Sequence, residues 1–369
     1  MQTEIPYPEL DTPCLLIDLD VVELNIAEMA EVAAESGVRL RPHTKTHKAP
    51  EIAAMQVAAG STGITCAKLG EAFVMADAGI ADILIAYPIV GEAKLRRLRE
   101  LVERVDVRIS LDSVEVAEGV GRVGVDAGRA IPVLVEVDTG LHRMGRPPGA
   151  PSAELALKVW GVPGVEVIGL LTHAGHAYDA RTPSDIIAFA HREVADLLET
   201  AELCRRAGVE VREVSVGATP TARAEASVEG VTEIRPGTYV FNDVQVMRVG
   251  VATEATCAAS VLATVVARPT GDRFVVDAGS KALTSDGSSE GPFPGRGVVR
   301  GSPGLLLDFL TEEHGVGHIE DGASVDIGDR VEIIPLHICP CVNLFDTASG
   351  VREGAVEREI VIAGRGRMR

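Results

Sequence analysis

The chain has 369 residues, which predicts roughly two domains and ample material for a core. Hydrophobic residues make up 46% of it and aromatic residues only 3%, so the core must consist mainly of Ala, Val, Leu and Ile, as in α/β barrels. The formal charge of -19 excludes nucleic acid and anionic membranes as expected partners. No secretory signal, long apolar segment or disulfide pattern is visible, so we expect a cytoplasmic protein with reduced or metal-bound cysteines.

Strand-like and helix-like segments alternate from the N-terminus to about residue 245, a pattern typical of a parallel sheet. Nine segments have the composition of strands: Cys14–Asp18, Val38–Pro42, Gly63–Ala67, Ile83–Tyr87, Val107–Leu111, Pro132–Asp138, Val165–Leu171, Val211–Val216 and Glu233–Val240. Segments rich in Ala, Glu, Leu and Arg predict helices at Leu24–Glu35, Leu69–Asp77, Ala93–Arg104 and Ser184–Ala207. Because a (β/α)8 barrel has eight places, the first candidate strand is expected to lie elsewhere.

After residue 246 the helical pattern disappears, and Gly, Pro and β-branched residues dominate. Strands are predicted there at Ala258–Arg268, Arg273–Asp277, Arg330–Pro335 and Arg358–Ala363. We therefore predict an α/β fold with a (β/α)8 TIM-type barrel at residues 18–245. A C-terminal all-β domain follows at residues 246–369, and the N-terminal segment 1–17 is expected to join it.

Lys45 lies within the cationic and titratable run Arg41–Lys48. Nearby positive charge disfavours the ammonium form of a lysine, so Lys45 is a candidate to form an imine with an aldehyde. The alternative is that the run is a basic surface loop.

Several polar segments follow predicted strands, where the active site of a barrel is built. Lys45 follows an early strand, and Asp138–Arg143 and Thr172–Tyr178 follow two middle ones. Gly217–Thr221 and Arg235–Tyr239 follow the last two strands and have the composition of a barrel phosphate site, although ordinary turn chemistry would also explain them. An imine-forming lysine and a phosphate site on the last strands together predict pyridoxal 5'-phosphate.

Five motifs together resemble the D-serine dehydratase and D-threonine aldolase family, fold-type III enzymes that share the alanine-racemase barrel. They are Arg41–Lys48, Asp138–Gly145, Thr172–Tyr178, Asp277–Lys281 and His337–Cys339. The resemblance extends over nearly the whole chain. Each motif is weak alone, but their common order is specific.

The resemblance implies a role for individual residues. Lys45 would be the Schiff-base lysine, with His173 against the cofactor ring, Arg143 near it, and Tyr178 beside the substrate. The phosphate would be held by Gly217, Thr219, Gly237, Thr238 and Tyr239. The structural alternatives are a core histidine at 173, an ion-pair partner at 143 and a packed tyrosine at 178.

His337 and Cys339 are two residues apart at the end of a predicted strand, so their side chains would share one face if the strand continued. An imidazole and a thiolate suit Zn²⁺, and another divalent metal such as Mn²⁺ is possible. Two protein ligands would leave positions for water or substrate, which is typical of a catalytic site. Cys341 is a possible third ligand if Pro340 does not break the strand, and a buried His beside a free Cys is the alternative.

A metal bound to a substrate β-hydroxyl favours either its departure or its deprotonation. The first gives dehydration of D-serine to pyruvate and ammonia, and the second gives cleavage of D-threonine to glycine and acetaldehyde. His-x-Cys resembles the D-serine dehydratases, whereas the aldolases tend to carry His-x-Asp. Pro340–Asp346 resembles the aldolase branch, so both D-amino acid activities stay open, with D-serine dehydratase preferred.

Two further readings are an amino-acid racemase and a non-catalytic pyridoxal-phosphate-binding protein. A racemase commonly uses a tyrosine of its β domain, but no tyrosine follows residue 246. A binding protein would not need a metal pair. The resemblance also implies a homodimer.

Overall fold

The computed structural model describes residues 6–287 and 293–369 and groups them into two units. One unit contains residues 26–45, 50–237 and 366–369, and the other contains the described parts of residues 6–25, 46–49 and 238–365. Residues 1–5 of the predicted N-terminal segment lie outside the described residues. None of the described helices is long and apolar enough to cross a membrane.

The strands are β1 (Cys14–Asp18), β2 (Arg39–Leu40), β3 (Ile64–Cys66), β4 (Asp82–Ile85), β5 (Asp106–Leu111), β6 (Ile131–Glu136), β7 (Val165–Leu171), β8 (Glu213–Val216), β9 (Glu233–Ile234), β10 (Ala259–Thr270), β11 (Arg273–Val276), β12 (Gly297–Val299), β13 (Leu305–Leu310), β14 (Gly315–Ile319), β15 (Arg330–Pro335), β16 (Thr347–Arg352) and β17 (Ala355–Val361). The α-helices are α1 (Leu19–Ser36), α2 (Pro50–Ala58), α3 (Leu69–Asp77), α4 (Glu92–Val102), α5 (Val114–Asp126), α6 (Ala150–Trp160), α7 (Pro183–Arg206), α8 (Ala222–Ala226), α9 (Val244–Arg248), α10 (Ser280–Leu283) and α11 (Ile338–Val342). Short 3-10 helices lie at Gly175–Asp179, Thr238–Val240 and Glu254–Thr256.

The first unit is a parallel barrel of eight strands in the order β2-β9-β8-β7-β6-β5-β4-β3. A parallel bridge between His43 and Thr65 closes the ring between the segment after β2 and strand β3. Two backbone hydrogen bonds of 2.8 Å, from Thr44 N to Thr65 O and from Thr65 N to Pro42 O, hold that closure. The predicted (β/α)8 fold is therefore confirmed.

Small and branched apolar side chains fill the barrel unit, as the low aromatic content predicts. Ile64, Ile85, Ile109, Val135 and Val214 are all fully buried strand residues. Such residues pack well on a pleated surface and lose little on being fixed there.

A buried ion-pair network lies at the amino ends of the barrel strands. The guanidinium of Arg41 is fully buried and donates to Glu233 Oε2 at 2.8 Å and to Asp82 Oδ1 at 2.7 Å. Both carboxylates belong to the first residues of their strands, so Arg41 reaches toward the amino ends of the barrel. Burial disfavours the charged guanidinium, but Glu233 and Asp82 together raise the pKa of Arg41 above its usual value. Arg41 of the cationic run is thus a structural ion-pair residue.

The second unit is a nine-stranded sheet in the order β11-β14-β13-β12-β15-β10-β1-β16-β17. An additional pairing between β10 and β11 closes six of these strands into an antiparallel barrel. Strand β1 pairs with β10 and β16 in this unit, so the first of the nine predicted strands lies outside the parallel barrel, as expected.

Three predictions about local structure are wrong. The ninth predicted strand ends at Ile234 because Pro236 and Gly237 cannot continue it, and a 3-10 helix follows at Thr238. Short helices, α9, α10 and α11, do occur after residue 246. Strand β15, predicted to continue through His337 and Cys339, ends at Pro335, so these two residues do not share a strand.

Candidate active site in the barrel and metal pair in the β unit

A cavity of about 720 Å³ opens at the carboxyl ends of the parallel strands. Side chains from the segments after most of these strands line it, among them Lys45, Lys68, Tyr87, Arg143, His173 and Arg235. This is the end of a parallel barrel at which active sites are built. The cavity therefore brings together Lys45, Arg143, His173 and Gly217 of the predicted site.

Thr44 holds the segment that carries Lys45. Its buried hydroxyl donates to Glu71 Oε1 at 2.7 Å, and its amide donates to Thr65 O at 2.8 Å. The backbone N–H of Lys45 faces His43 Nδ1 at 3.3 Å. These bonds fix the backbone up to the amide of Lys45, whose side chain lines the cavity.

His173 follows β7 and lies at hydrogen-bond distance from the turn after β8. Its Nδ1 is 3.1 Å from the carbonyl oxygen of Gly217, so Nδ1 carries the proton and donates. Burial, together with the charges of Lys45 and Arg143, holds the pKa of His173 well below its usual value. The ring is therefore neutral at physiological pH, with Nε2 unprotonated.

Glu136 and Arg143 form the charged wall of the cavity after β6. Arg143 Nη2 lies 3.7 Å from Glu136 Oε1, and Ser110 Oγ donates to Glu136 Oε2 at 2.7 Å. Burial raises the pKa of Glu136, although Ser110 and Arg143 both favour its ionised form. Arg143 is half-exposed, so the ion pair orients its guanidinium without removing it from the cavity.

Arg235 lines the cavity, and the sequence analysis placed it in a candidate segment, Arg235–Tyr239, without giving it a role of its own. It is buried, and its guanidinium donates to Ser215 Oγ and to Thr172 O at 2.5 Å each. Burial is the largest influence on Arg235 and lowers its pKa, while Glu233, Glu136, Glu193 and Glu225 oppose that shift. Its place directly after β9 was the available signal, because a charged residue at the carboxyl end of a barrel strand points to function.

A pair of buried carboxyls lies behind the Gly217 turn. Glu193 on α7 and Glu225 on α8 are fully buried, and none of their four oxygens has a well-formed hydrogen bond within the described residues. Burial raises the pKa of Glu193 to about 7, and burial with the charge of Glu193 raises that of Glu225 well above its usual value. The physical solution is one proton shared by the two carboxyls.

The Gly217 turn has the form of a cradle. Gly217 has φ of +123°, and an added Cβ would lie 2.9 Å from the backbone N of Arg235, so a side chain is excluded there. Thr219 is buried in the same turn. Gly237 belongs to the same unit and lies in the segment after the next strand, β9. These residues fit a phosphate group, which needs close approach to backbone N–H groups.

Lys68 and Tyr87 are further cavity residues that the sequence analysis left out. The ammonium of Lys68 lies 3.1 Å from the centroid of the Tyr87 ring. The hydrogen bond and charge of Lys68 lower the pKa of Tyr87. Lys94, in the first turn of α4, is the third lysine of the cavity. Lys68, Tyr87 and Lys94 come shortly after β3 or β4. The rule that polar residues after barrel strands belong to the active site, which identified Lys45, therefore applies to them as well.

Three other predicted site residues are not among the residues that line this cavity. Tyr178 is half-buried in the 3-10 helix Gly175–Asp179 of the barrel unit. Thr238 and Tyr239 are buried in the 3-10 helix of the β unit. The roles of all three stay predictions.

His337 and Cys339 are adjacent in the β unit although they are not on a strand. His337 immediately precedes helix α11, and Cys339 lies in its first turn. Asp286 Oδ2 is 2.9 Å from His337 Nδ1, and Cys339 Sγ is 3.3 Å from Thr46 Oγ1. Burial favours the neutral ring, but the hydrogen bond and charge of Cys339, with Asp243 and Asp286, raise the pKa of His337 to about 9.

This donor set fits a divalent metal in part. Asp286 on Nδ1 leaves Nε2 free to ligate, the usual arrangement of a carboxylate behind a metal-bound histidine. The described residues contain no group of three or more His, Cys, Asp or Glu that could hold a metal, so two positions at least would fall to water or substrate. Cys341 points away, because its thiol donates to Ala282 O at 3.0 Å.

Comparison with known proteins agrees with this geometry. Residues 17–244 match the family model of the alanine racemase N-terminal domain, and residues 258–351 match the putative serine dehydratase domain. The chain belongs to the alanine racemase N-terminal domain family, in the branch that carries this second domain, and the lyase class expected from the sequence is confirmed. The family implies pyridoxal phosphate as the cofactor.

Three similar proteins show the range of activities in this branch. The D-threo-3-hydroxyaspartate dehydratase of Delftia sp. is 38% identical, with 89% of this chain and 91% of the relative covered. The D-serine dehydratase of Dictyostelium discoideum is 30% identical over 91% and 92% of the two chains. The crystal structure of D-threonine aldolase from Filomicrobium marinum has a TM-score of 0.92 at 34% identity and covers 100% of this chain and 99% of that one.

Proposed function

We propose that this protein is a pyridoxal-phosphate- and metal-dependent lyase of β-hydroxy-D-amino acids, with dehydration of D-serine to pyruvate and ammonia as its activity. The observation that carries the proposal is the cavity at the carboxyl ends of the barrel, where Lys45 lies with a neutral His173. Cys339, in the position where the resemblance gives the aldolases an aspartate, favours dehydration over aldol cleavage.

Bound pyridoxal phosphate would accept the electron pair released at the substrate Cα. Lys45 would hold the cofactor through Nζ, and the same nitrogen would serve as the base for the Cα proton. His173 stays neutral because burial and the charges of Lys45 and Arg143 lower its pKa, and the bond from Nδ1 to Gly217 O fixes the tautomer. Its ring therefore adds no charge to the cavity. Arg143, oriented by Glu136, would contribute a cation near the cofactor ring. Gly217, Thr219 and Gly237 would hold the phosphate with backbone donors, and Thr238 and Tyr239 would assist.

His337 and Cys339 would hold Zn²⁺ or another divalent metal such as Mn²⁺. The metal would supply Lewis acidity toward a hydroxyl oxygen, which makes hydroxide a better leaving group. Asp286 fixes the orientation of the imidazole. Tyr178 is proposed to border the substrate, and two copies of the chain are proposed to form a homodimer.

D-threonine aldolase is the second candidate. The segment Pro340–Asp346 resembles the aldolase branch, and the whole chain superimposes on an aldolase structure with a TM-score of 0.92. Both reactions need the same cofactor and release an electron pair at the substrate Cα, so the barrel cavity suits either. They differ in the bond that breaks, which is Cα–H in dehydration and Cα–Cβ in aldol cleavage.

The test is product analysis with the purified protein loaded with pyridoxal phosphate and zinc. With D-serine we expect pyruvate and ammonia, and with D-threonine we expect the 2-oxo acid in excess over glycine. Lys45→Ala should abolish turnover, a chelator should abolish it reversibly, and the control Lys158→Ala, on an exposed residue of α6, should retain it. Glycine and acetaldehyde from D-threonine without oxo acid would establish the aldolase instead.

A further inference from the structure

A fully buried glutamate lies next to residues that line the barrel cavity. Glu71 is in the first turn of α3 and has no exposed surface. A glutamate at a helix start is ordinarily exposed, as Glu92 of α4 is, with 75% of its side chain accessible. Removing a carboxylate from water is costly unless hydrogen bonds compensate for it, so the partners of Glu71 indicate what its burial achieves.

The carboxylate of Glu71 joins the ends of two neighbouring strands. Thr44, in the segment after β2, donates its hydroxyl to Glu71 Oε1 at 2.7 Å. The backbone N–H of Ala67, directly after β3, donates to Glu71 Oε2 at 3.1 Å. Lys45 and Ala67 both line the cavity. One carboxylate therefore connects the segment that carries Lys45 to the next segment of the cavity wall.

The start of α3 is itself held in place. Gly70 is buried, and an added Cβ would lie 2.8 Å from Arg367 O and still closer to Arg369 O. Residues 366–369 belong to the same unit as α3. Backbone segments packed this closely leave little room for the helix start to move. Glu71 is thus a fixed point from which the Lys45 segment is held.

Thr44 connects this fixed point to Lys45. Its hydroxyl has one proton and two acceptors within reach, Glu71 Oε1 at 2.7 Å and Thr65 O at 3.1 Å. The shorter bond, to the carboxylate, is the stronger one. Because Lys45 is the next residue in the chain, the bond between Thr44 and Glu71 determines where the lysine side chain leaves the backbone.

We propose that Glu71 is a positioning residue for Lys45. It holds the Lys45 segment against α3, so that Nζ meets the aldehyde of pyridoxal phosphate in the orientation needed to condense to the imine with loss of water. The inference rests on the proposed function and adds to it a residue outside the cavity lining.

The experiment compares the binding of two forms of the cofactor to the purified chain freed of cofactor, by equilibrium dialysis. Pyridoxal 5'-phosphate forms an imine with a lysine, whereas pyridoxamine 5'-phosphate has an amine in place of the aldehyde and measures only the phosphate and ring contacts. In Glu71→Ala and in Thr44→Val we expect roughly 10- to 100-fold weaker binding of pyridoxal phosphate, the usual effect of losing a hydrogen bond to a charged group. The affinity for pyridoxamine phosphate should stay unchanged.

Two further variants test the route through Thr44. In Glu71→Gln the amide oxygen can accept from the Ala67 N–H, and the amide nitrogen can donate to Thr44 Oγ1. The Thr44 proton then goes to Thr65 O, so this variant should retain most of the affinity. The double variant of Glu71→Ala with Thr44→Val should bind no more weakly than Glu71→Ala alone, because both changes remove the same bond.

The matched control is Glu92→Ala, which removes the first-turn glutamate of α4 and should leave the affinity for both cofactor forms unchanged. Equal losses for the two forms in Glu71→Ala would show that Glu71 supports the cavity as a whole and would overturn the inference. Unchanged binding of pyridoxal phosphate in Thr44→Val would overturn it as well, and this variant decides the question if Glu71→Ala does not fold. Absence of turnover with every D-amino acid would refute the proposed function, and the comparison of the two cofactor forms would still decide the inference.

Discussion

The carboxyl pair Glu193 and Glu225 makes the stability of the barrel sensitive to pH. Both groups are fully buried, and four carboxylate oxygens have no well-formed donor within the described residues. Burial is the main cause of the raised pKa of Glu193, and Arg235 only partly opposes it. In the unfolded chain both groups are exposed and ionise at their ordinary values.

The sign of the effect follows from these shifts. A group whose pKa is raised on folding stabilises the folded state below its unfolded pKa, and this contribution is lost as the pH rises through the folded pKa. For Glu193 the window runs from 4.5 to about 7. At 1.36 kcal/mol per unit of pKa, the folded state loses about 3 kcal/mol of stability across this window through Glu193 alone.

Glutamine at position 193 cannot ionise, so the variant avoids this loss. We therefore predict that the stability of Glu193→Gln relative to wild type rises between pH 5 and pH 8. Domains of this size shift by about 2–4 °C per kcal/mol, so the difference in Tm between variant and wild type should grow by roughly 6–12 °C. Thermal unfolding followed by circular dichroism at several pH values measures it. The matched control is Glu202→Gln, an exposed glutamate of the same helix. A Tm difference that is the same at pH 5 and pH 8 would refute the shared proton.

Three other predictions concern the site. Gly217→Ala should destabilise the barrel by about 1–3 kcal/mol and lower pyridoxal phosphate retention, because a positive φ disfavours a side chain; unchanged retention in equilibrium dialysis would contradict this. His173 should stay neutral between pH 6 and pH 8 because burial and neighbouring cations lower its pKa, and a histidine NMR titration in that interval assigned to it would be the contrary result. Asp286→Ala should weaken zinc binding by roughly 10- to 100-fold through loss of the bond to His337, measured by competition with a chelating dye. Equal affinity would show that Asp286 does not support the metal.

The strands and helices of the barrel could be predicted from the sequence where hydrophobic periodicity and burial agree. Strand β7 and helix α3 have the predicted bounds, Val165–Leu171 and Leu69–Asp77, because each combines a clear periodicity with burial. The exclusion of Cys14–Asp18 from the parallel sheet followed from counting strands against places in a barrel. Lys45 and His173 were predicted from their places after strands, and both line the cavity at that end of the barrel.

The remaining errors come from proline and from partners distant in sequence. Pro335 ends β15, and the chain turns into α11, so the proximity of His337 and Cys339 comes from a helix start and not from strand alternation. Asp286 is 51 residues from His337, and no spacing in the sequence links them. Lys68 and Lys94 look like ordinary helix-start lysines until the strand order brings them to the cavity.

The central claim is that Lys45, among the three lysines of the cavity, carries the cofactor. Reduction of the loaded protein with sodium borohydride, followed by peptide mass analysis, identifies the modified residue directly. The account predicts a pyridoxyl mass on the peptide that contains Lys45 and none on those that contain Lys68 or Lys94. A pyridoxyl group on Lys68 or Lys94, with Lys45 unmodified, would contradict it.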